Sequence, residues 1–299
     1  MGLNKHITGW ILDFLTQRPQ FVRIKSDELN LRSHIIVTNT GAPQGAVLSP
    51  FLFTIYTNEC ILRNNNSVNL IKFADDTCLQ GLIASSEDES QYRDSVDWFV
   101  QWCEDHYLLL NVKKTKEIII DFRKKKTPLA PLMIKNENVE IVNSYKYLGT
   151  LIDDQLDWNA NATETLKNVN RRFYFLRKLK TFHVDNTILC LFYKAVVESI
   201  LTFSITCWGG NIQGNKANKI NTVIRKANKL LNCTDSSHPD IGMLYLLNCQ
   251  RKMMSIASDP SHPLYSQIKY SVRSERPIPL RCNTERYRKS FLPSSVKLL

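Results

Sequence analysis

Apolar residues recur at helical spacing from the start of the chain. Ile7, Trp10, Ile11, Phe14 and Leu15 share a face, which predicts a helix from His6 that Pro19 ends. Residues 21–24 and 35–37 read as strands, and Thr40-Gly41-Ala42-Pro43-Gln44-Gly45 as a turn-rich loop. Ser49-Pro50 then predicts a helix start, with Ser as N-cap, Pro at the first helical position, and Leu52, Ile55 and Tyr56 facing inward. Residues 68–73 read as a strand, Ala74-Asp75-Asp76 as a tight turn and residues 77–83 as the returning strand. An acidic loop is expected at 85–90, before a helix with Tyr92, Val96, Phe99 and Cys103 on one face. A loop at 108–110 and a strand at 117–122 end in the run Arg123-Lys124-Lys125-Lys126.

The second half changes character. Residues 139–141 and 145–152 read as strands, and beyond Trp158 the pattern is helical. Leu166, Val169, Phe173 and Leu176 share a face, with Arg171, Arg172, Arg177 and Lys178 off it. Residues 188–202 read as a core helix. Residues 216–231 read as a third helix, apolar at Ile220, Val223, Ile224, Ala227 and Leu231 and basic at Lys219, Arg225, Lys226 and Lys229. From Ser258 the chain is rich in Pro, Ser and Arg, and parts of it are expected to be disordered. Strands followed by helices define an α+β protein.

Composition narrows the function classes through charge. Residues 1–150 balance 17 Lys+Arg against 17 Asp+Glu, whereas 151–299 hold 22 against 11, so the whole net charge of +11 lies in the second half. Such a face suits phosphate binding, although solvated lysines give the same count. No apolar run reaches the length of a membrane span, and Met1-Gly2-Leu3-Asn4-Lys5-His6 precedes no signal-peptide core. A nuclear or cytoplasmic protein, not secreted and without membrane contact, is the expectation. None of the eight cysteines forms a C-x-x-C pair, and Cys233, His238, Cys249 and His262 are spaced too loosely for a zinc knuckle.

The sharpest chemistry is at Phe73-Ala74-Asp75-Asp76. Two adjacent carboxylates at a hairpin tip cannot both be buried without partners, so they face solvent or bind a cation. Mg²⁺ prefers carboxylate and phosphate oxygens, and paired Mg²⁺ ions serve nucleotidyl transfer. Taken alone, the tetrapeptide reads as an ordinary Asp-Asp turn. Its context is Gly41-Ala42-Pro43-Gln44-Gly45-Ala46-Val47-Leu48-Ser49-Pro50-Phe51-Leu52-Phe53 upstream, with Asn111-Val112-Lys113-Lys114-Thr115-Lys116, Tyr145-Lys146-Tyr147-Leu148-Gly149 and Trp208-Gly209 downstream.

In that order, these segments resemble reverse transcriptases of non-LTR (LINE-type) retrotransposons. His262-Pro263-Leu264-Tyr265 and Arg286-Tyr287-Arg288-Lys289-Ser290-Phe291 resemble the tail of fish-type elements. The resemblance implies a partial right-hand polymerase palm, an antiparallel sheet with packed helices, followed by a helical thumb. Its expected divisions are 1–126 for the palm, 127–155 for a primer-grip hairpin, 156–232 for the thumb, and 233–299 for a basic, partly disordered C-terminal region. It implies RNA template, DNA primer and dNTP as partners and Mg²⁺ as cofactor, in a two-metal site. Asp75 would bind metal, with Asp76 beside it. Pro43, Gln44, Gly45, Phe73 and Ala74 would lie at nucleotide and template, the Gly because backbone must approach nucleic acid closely. Lys114 would protonate the leaving pyrophosphate or is a surface lysine. Tyr147, Leu148 and Gly149 would grip the primer, Tyr147 equally being a hairpin core aromatic. Arg171, Arg172, Arg177 and Lys178 would contact phosphates.

The resemblance also carries an expectation about what this sequence lacks. The family's first metal-binding Asp lies on a strand upstream of the helix containing Trp10. Before the Pro-Gln-Gly loop this sequence offers Asp13 on that helix, and Asp27 and Glu28 in a loop. Fingers and an endonuclease domain are likewise not seen. The chain alone is therefore expected to be catalytically incomplete, its palm sheet lacking a strand and open at its edges. The alternative is a nucleic-acid-binding remnant, or a decayed copy with no function.

Overall fold

The computed structural model describes residues 4–26, 29–62, 67–126, 129–232 and 238–299. Asp27, Glu28 and Cys233 lie outside the described residues. The chain divides into two compact units, Met1–Asn111 and Val112–Leu299, each described by itself.

In the first unit, helix α1 (Lys5–Leu15) begins where the Asn4 side chain accepts the His6 N–H at 2.9 Å. It ends at Leu15, before Pro19, and its apolar stripe stays open, with Trp10 56% exposed. Pro19 lies in strand β1 (Arg18–Gln20), which pairs antiparallel with β4 (Ile36–Thr38), while β2 (Arg23–Lys25) pairs with β3 (Asn30–Arg32). The sequence pattern located β4 and part of β2 but neither partner, because β1 and β3 are short, polar and exposed. Helix α2 (Leu48–Tyr56) follows. Its N-cap is Val47 and not Ser49, because the Ser49 hydroxyl donates to the Pro43 carbonyl at 2.5 Å and closes the preceding loop. Pro50 still falls in the first turn, where its missing N–H costs nothing. Leu52 is half-buried, but Ile55 and Tyr56, expected inward, are exposed.

Strands β5 (Val68–Phe73) and β6 (Asp76–Gly81) form the hairpin that the sequence announced. Helix α3 (Ser86–Asp105) packs over it, burying Phe99, Trp102 and Cys103 against Cys60, Leu70 and Leu79. The stretch expected as an acidic loop is the first turn of α3. Ser85 accepts the Asp88 N–H at 3.2 Å and the Asp88 carboxylate accepts the Ser85 N–H at 2.8 Å, a capping box.

The second unit opens on a short turn at Val112–Lys114. Strand β7 (Lys116–Glu117) pairs parallel with β10 (Glu140–Ile141), so the strand expected at 117–122 is two residues long. Between these lies the hairpin β8 (Met133–Ile134) and β9 (Glu137–Asn138). Strands β11 (Ser144–Tyr147) and β12 (Thr150–Asp153) form a tight hairpin. Among the described residues every strand pairs with one partner, so the expected palm sheet is a set of two-stranded ribbons.

Helices make the large core. Helix α4 (Asn159–Thr181) buries Val169, Phe173 and Leu176. Helix α5 (Asn186–Phe192) runs through a π turn at Tyr193–Glu198 into α6 (Ser199–Thr202), burying Leu189, Tyr193, Val197 and Leu201. Helix α7 (Ile205–Trp208) buries Trp208, and α8 (Gly214–Leu231) buries all five residues of its expected apolar face. Helix α9 (Ile241–Ala257), absent from the sequence reading, closes the core with Leu244, Tyr245 and Cys249. The tail carries α10 (Glu285–Arg288) and α11 (Phe291–Ser295). It packs Ile268 and Val296 against Met253 and Ile256, so these parts of the segment expected to be partly disordered belong to a core. Among the described residues no single helix is long and apolar enough to cross a membrane.

Trp208-Gly209-Gly210 is a packing feature. The Trp208 indole donates to the Phe203 carbonyl at 3.0 Å, and a Cβ on Gly210 would sit 2.1 Å from the Lys289 carbonyl oxygen. Gly210→Ala is expected to destabilise the protein by about 1–3 kcal/mol through overpacking, read as a lower urea midpoint. An unchanged midpoint would contradict that packing.

His238 is buried beside Tyr193, ring centroids 4.0 Å apart, with Nδ1 3.4 Å from the Glu198 carboxylate. Burial pulls its pKa below the ordinary 6.5, Glu198 opposes this, and Lys194 adds to it. A depressed folded pKa gives stability that is present above 6.5 and lost as pH falls through the folded value. Denaturant midpoints are therefore expected to decline below that pH, and His238→Gln to flatten the decline. A decline of the same slope in the variant would rule His238 out as its source.

Candidate active site

The register of the β5–β6 hairpin decides which side chains share a face. Val68, Leu70 and Lys72 point toward the α3 side, while Ile71 and Phe73 point outward, opposite Cys78 and Asp76. The chain reverses through Ala74 and Asp75, with Ala74 at φ +51°, a left-handed conformation uncommon outside Gly. Phe73 is 62% exposed, and Asp75 and Asp76 are exposed at the tip. Among the described residues neither carboxylate has a hydrogen-bond or ion-pair partner, and no third His, Cys, Asp or Glu joins them as a metal-holding group.

The residue that fixes this tip was not singled out from the sequence. The Lys72 ammonium donates to the carbonyls of Thr57 at 2.5 Å and Cys60 at 3.0 Å. Thr57 is the C-cap of α2, so a cation meets the negative end of a helix. The same ammonium opposes the burial that raises the Cys60 thiol pKa. The signal was present as a lysine at an inward position of an alternating strand. Through it the hairpin is tied to the helix that follows the Pro-Gln-Gly loop.

That loop lies at the other end of α2, about 13 Å of helix axis away at 1.5 Å per residue. Gly41 and Gly45 have φ of +67° and +85°, and a Cβ at either would meet nothing within 4 Å. Gly45 is therefore required by backbone conformation, and crowding does not demand it. Arg18 donates to the Thr40 and Gly41 carbonyls at 2.6 and 2.9 Å, clamping the loop base. Pro43 is half-buried and Gln44 exposed.

The remaining expected site residues belong to the second unit. Lys114 is exposed on the Val112–Lys114 turn. Tyr147 is half-buried, and Leu148 and Gly149 turn the β11–β12 hairpin with φ of +46° and +85°, the pair of positive angles a two-residue primed turn needs. The hairpin is joined to α4 by polar contacts. Asn161 accepts the Leu151 N–H at 3.1 Å, Lys146 meets Glu164 at 2.7 Å, and the Asp153 carboxylate accepts the N–H groups of Gln155, Asp157 and Trp158. An open cleft of about 390 Å³ lies at this junction, lined in part by Lys146, Gly149, Asn168 and Phe203. On α4, Arg171, Arg172, Arg177 and Lys178 are all exposed, with the Arg177 guanidinium 5.6 Å from the Phe173 ring centroid.

The family described as reverse transcriptase (RNA-dependent DNA polymerase) matches residues 1–152, half of the sequence and the stretch that holds the β5–β6 hairpin and all but the last residue of β12, and the chain belongs to that family. Its similarity to RNA-directed DNA polymerases of Drosophila transposable elements places it with the LINE-type, non-LTR reverse transcriptases. It is 24% identical over 178 residues to the probable RNA-directed DNA polymerase from transposon X-element of Drosophila melanogaster, covering 56% of this chain and 19% of that one. It is 24% identical over 212 residues to the one from transposon BS of the same fly, covering 67% and 23%. The RNA-directed DNA polymerase from mobile element jockey of Drosophila funebris is 24% identical over 198 residues, covering 60% and 20%. The chain thus spans about a fifth of the length of these curated relatives. Residues 158–199 match a second family, alkylated DNA repair protein alkB homolog 8, N-terminal. No solved structure matches the chain.

Lys72→Met is expected to cost about 1.5–3 kcal/mol, the range for a hydrogen-bonded charge, and to speed amide exchange in β5. Unchanged exchange there would show that Lys72 does not hold the hairpin.

Proposed function

We propose that the chain is the palm-and-thumb portion of an RNA-directed DNA polymerase, whose partners are an RNA template, a DNA primer and a dNTP. The observation that carries this is the pair of exposed carboxylates, without partners among the described residues, at the tip of a registered hairpin inside the family-matched stretch. Mg²⁺ is held by one or two carboxylates with waters and substrate phosphates completing its shell, so Asp75 and Asp76 suit one such ion. When bound, Mg²⁺ would stabilise charge on the oxygens of phosphoryl transfer.

The chain's own residues have separate tasks. Asp75 and Asp76 hold the cation. Phe73, on the face of Asp76, packs against the primer end. The Gln44-Gly45 backbone supports nucleotide and template, and the Tyr147-Leu148-Gly149 turn holds the primer strand. Arg171, Arg172, Arg177 and Lys178 contact phosphates without reading sequence. Lys114 supplies a proton to the leaving pyrophosphate.

Catalysis depends on metal position, and two adjacent carboxylates fix it poorly without a third ligand. The 299-residue chain taken alone is therefore proposed to bind template–primer without extending it. Primer extension on an RNA template with Mg²⁺, run beside an Asp75→Ala/Asp76→Ala variant, tests both parts. Expected are no extension by either protein and salt-dependent template–primer binding by both. Extension lost in the variant would overturn the incompleteness, and failure of soluble protein to bind template–primer would overturn the polymerase reading.

A further inference from the structure

Helix α4 carries six basic residues against one acidic, Glu164. Its buried face is set by Val169, Phe173 and Leu176. At 100° per residue, Lys167, Arg171, Tyr174 and Lys178 fall on the opposite side at i, i+4, i+7 and i+11, over about 16 Å of helix. All four are exposed. Arg172 and Arg177 lie on the two flanks.

Two aromatics interrupt this basic stripe. Tyr174 is 49% and Phe175 51% exposed, large values for rings in a protein with a well-filled core beneath them. They meet edge-on with centroids 5.6 Å apart, and the Lys178 ammonium lies 5.8 Å from the Tyr174 centroid. A single exposed ring needs no explanation. Two adjacent rings within a row of cations match what binds single strands, where aromatic faces take bases of any sequence and flanking charges take phosphates. Tyr, Phe and Arg also suit a protein interface, from which lysine is depleted, and the nucleic-acid reading above favours bases and phosphates as the occupants.

We infer that Tyr174 and Phe175 form a stacking platform for unpaired bases of a single-stranded nucleic acid, whose phosphates run along Lys167, Arg171 and Lys178. The inference rests on the nucleic-acid reading above and adds to it a preference for single strand over duplex at this helix. The Lys178 ammonium, over the Tyr174 ring and 5.8 Å from its centroid, is placed to meet the phosphate of the nucleotide stacked there.

Fluorescence anisotropy with the full chain tests it, using labelled oligouridylate, an abasic strand of equal length and a blunt RNA duplex. The variant is Tyr174→Leu/Phe175→Leu, which keeps good helix formers at both positions, checked by far-ultraviolet circular dichroism. Its affinity for oligouridylate is expected to fall about tenfold, with abasic-strand and duplex affinities held within about twofold. An equal loss on all three probes, or no loss on any, would overturn the platform while leaving nucleic-acid binding intact. No binding of any probe by the unsubstituted chain would overturn both.

Discussion

The first unit depends on one half-buried charge, the Lys72 ammonium. Strand β5 alternates, so one face must lie against α3 and the other must face out. The inward position nearest the turn is Lys72, and an ammonium is tolerated there because the C-terminal carbonyls of α2 accept it. With that register set, Phe73 and Asp76 cannot turn inward, and Asp75 is left at the tip. Asp76 is exposed because it pairs with Phe73, the outward-facing residue next to the inward Lys72.

The second unit solves a different problem, joining a short hairpin to a long helix. Trp158, at the start of α4, is in a left-handed conformation and caps nothing with its side chain. Asp153 and Asp157 accept the N–H groups that the helix start leaves open, and Asn161 reaches back to Leu151. The hairpin that carries the Tyr147–Gly149 turn is thereby joined to α4 by hydrogen bonds. The deep core under α4, filled by α5, α8 and α9, lets that outer face carry charge and aromatic rings without loss of stability.

Much of this was legible from periodicity. The β5–β6 hairpin, the buried face of α3, and the apolar faces of α4 and α8 follow from apolar spacing over whole elements, whereas residues 145–152, read as one strand, turn back at Leu148-Gly149 into β11 and β12. The misreadings have separate causes. The α3 start was taken for a loop because its first turn is acidic, which is what a helix N-terminus favours. Ser49 was assigned a cap that its hydroxyl spends on Pro43. Ile55 and Tyr56 were placed inward by spacing, yet this small unit has too little core to cover them. Asp75 and Asp76 were visible as a motif, whereas Lys72 acts through Thr57 and Cys60, 15 and 12 residues away along the chain, and leaves no local pattern.

The central claim, that the hairpin tip holds a divalent cation through two carboxylates, is tested most directly by Mn²⁺ titration followed by NMR. Mn²⁺ takes oxygen ligands like Mg²⁺ and broadens nearby amide signals. The account expects broadening confined to residues around Ala74–Thr77, abolished in an Asp75→Asn/Asp76→Asn variant. Broadening centred on Glu87, Asp88 and Glu89 in the first turn of α3, or none, would contradict it.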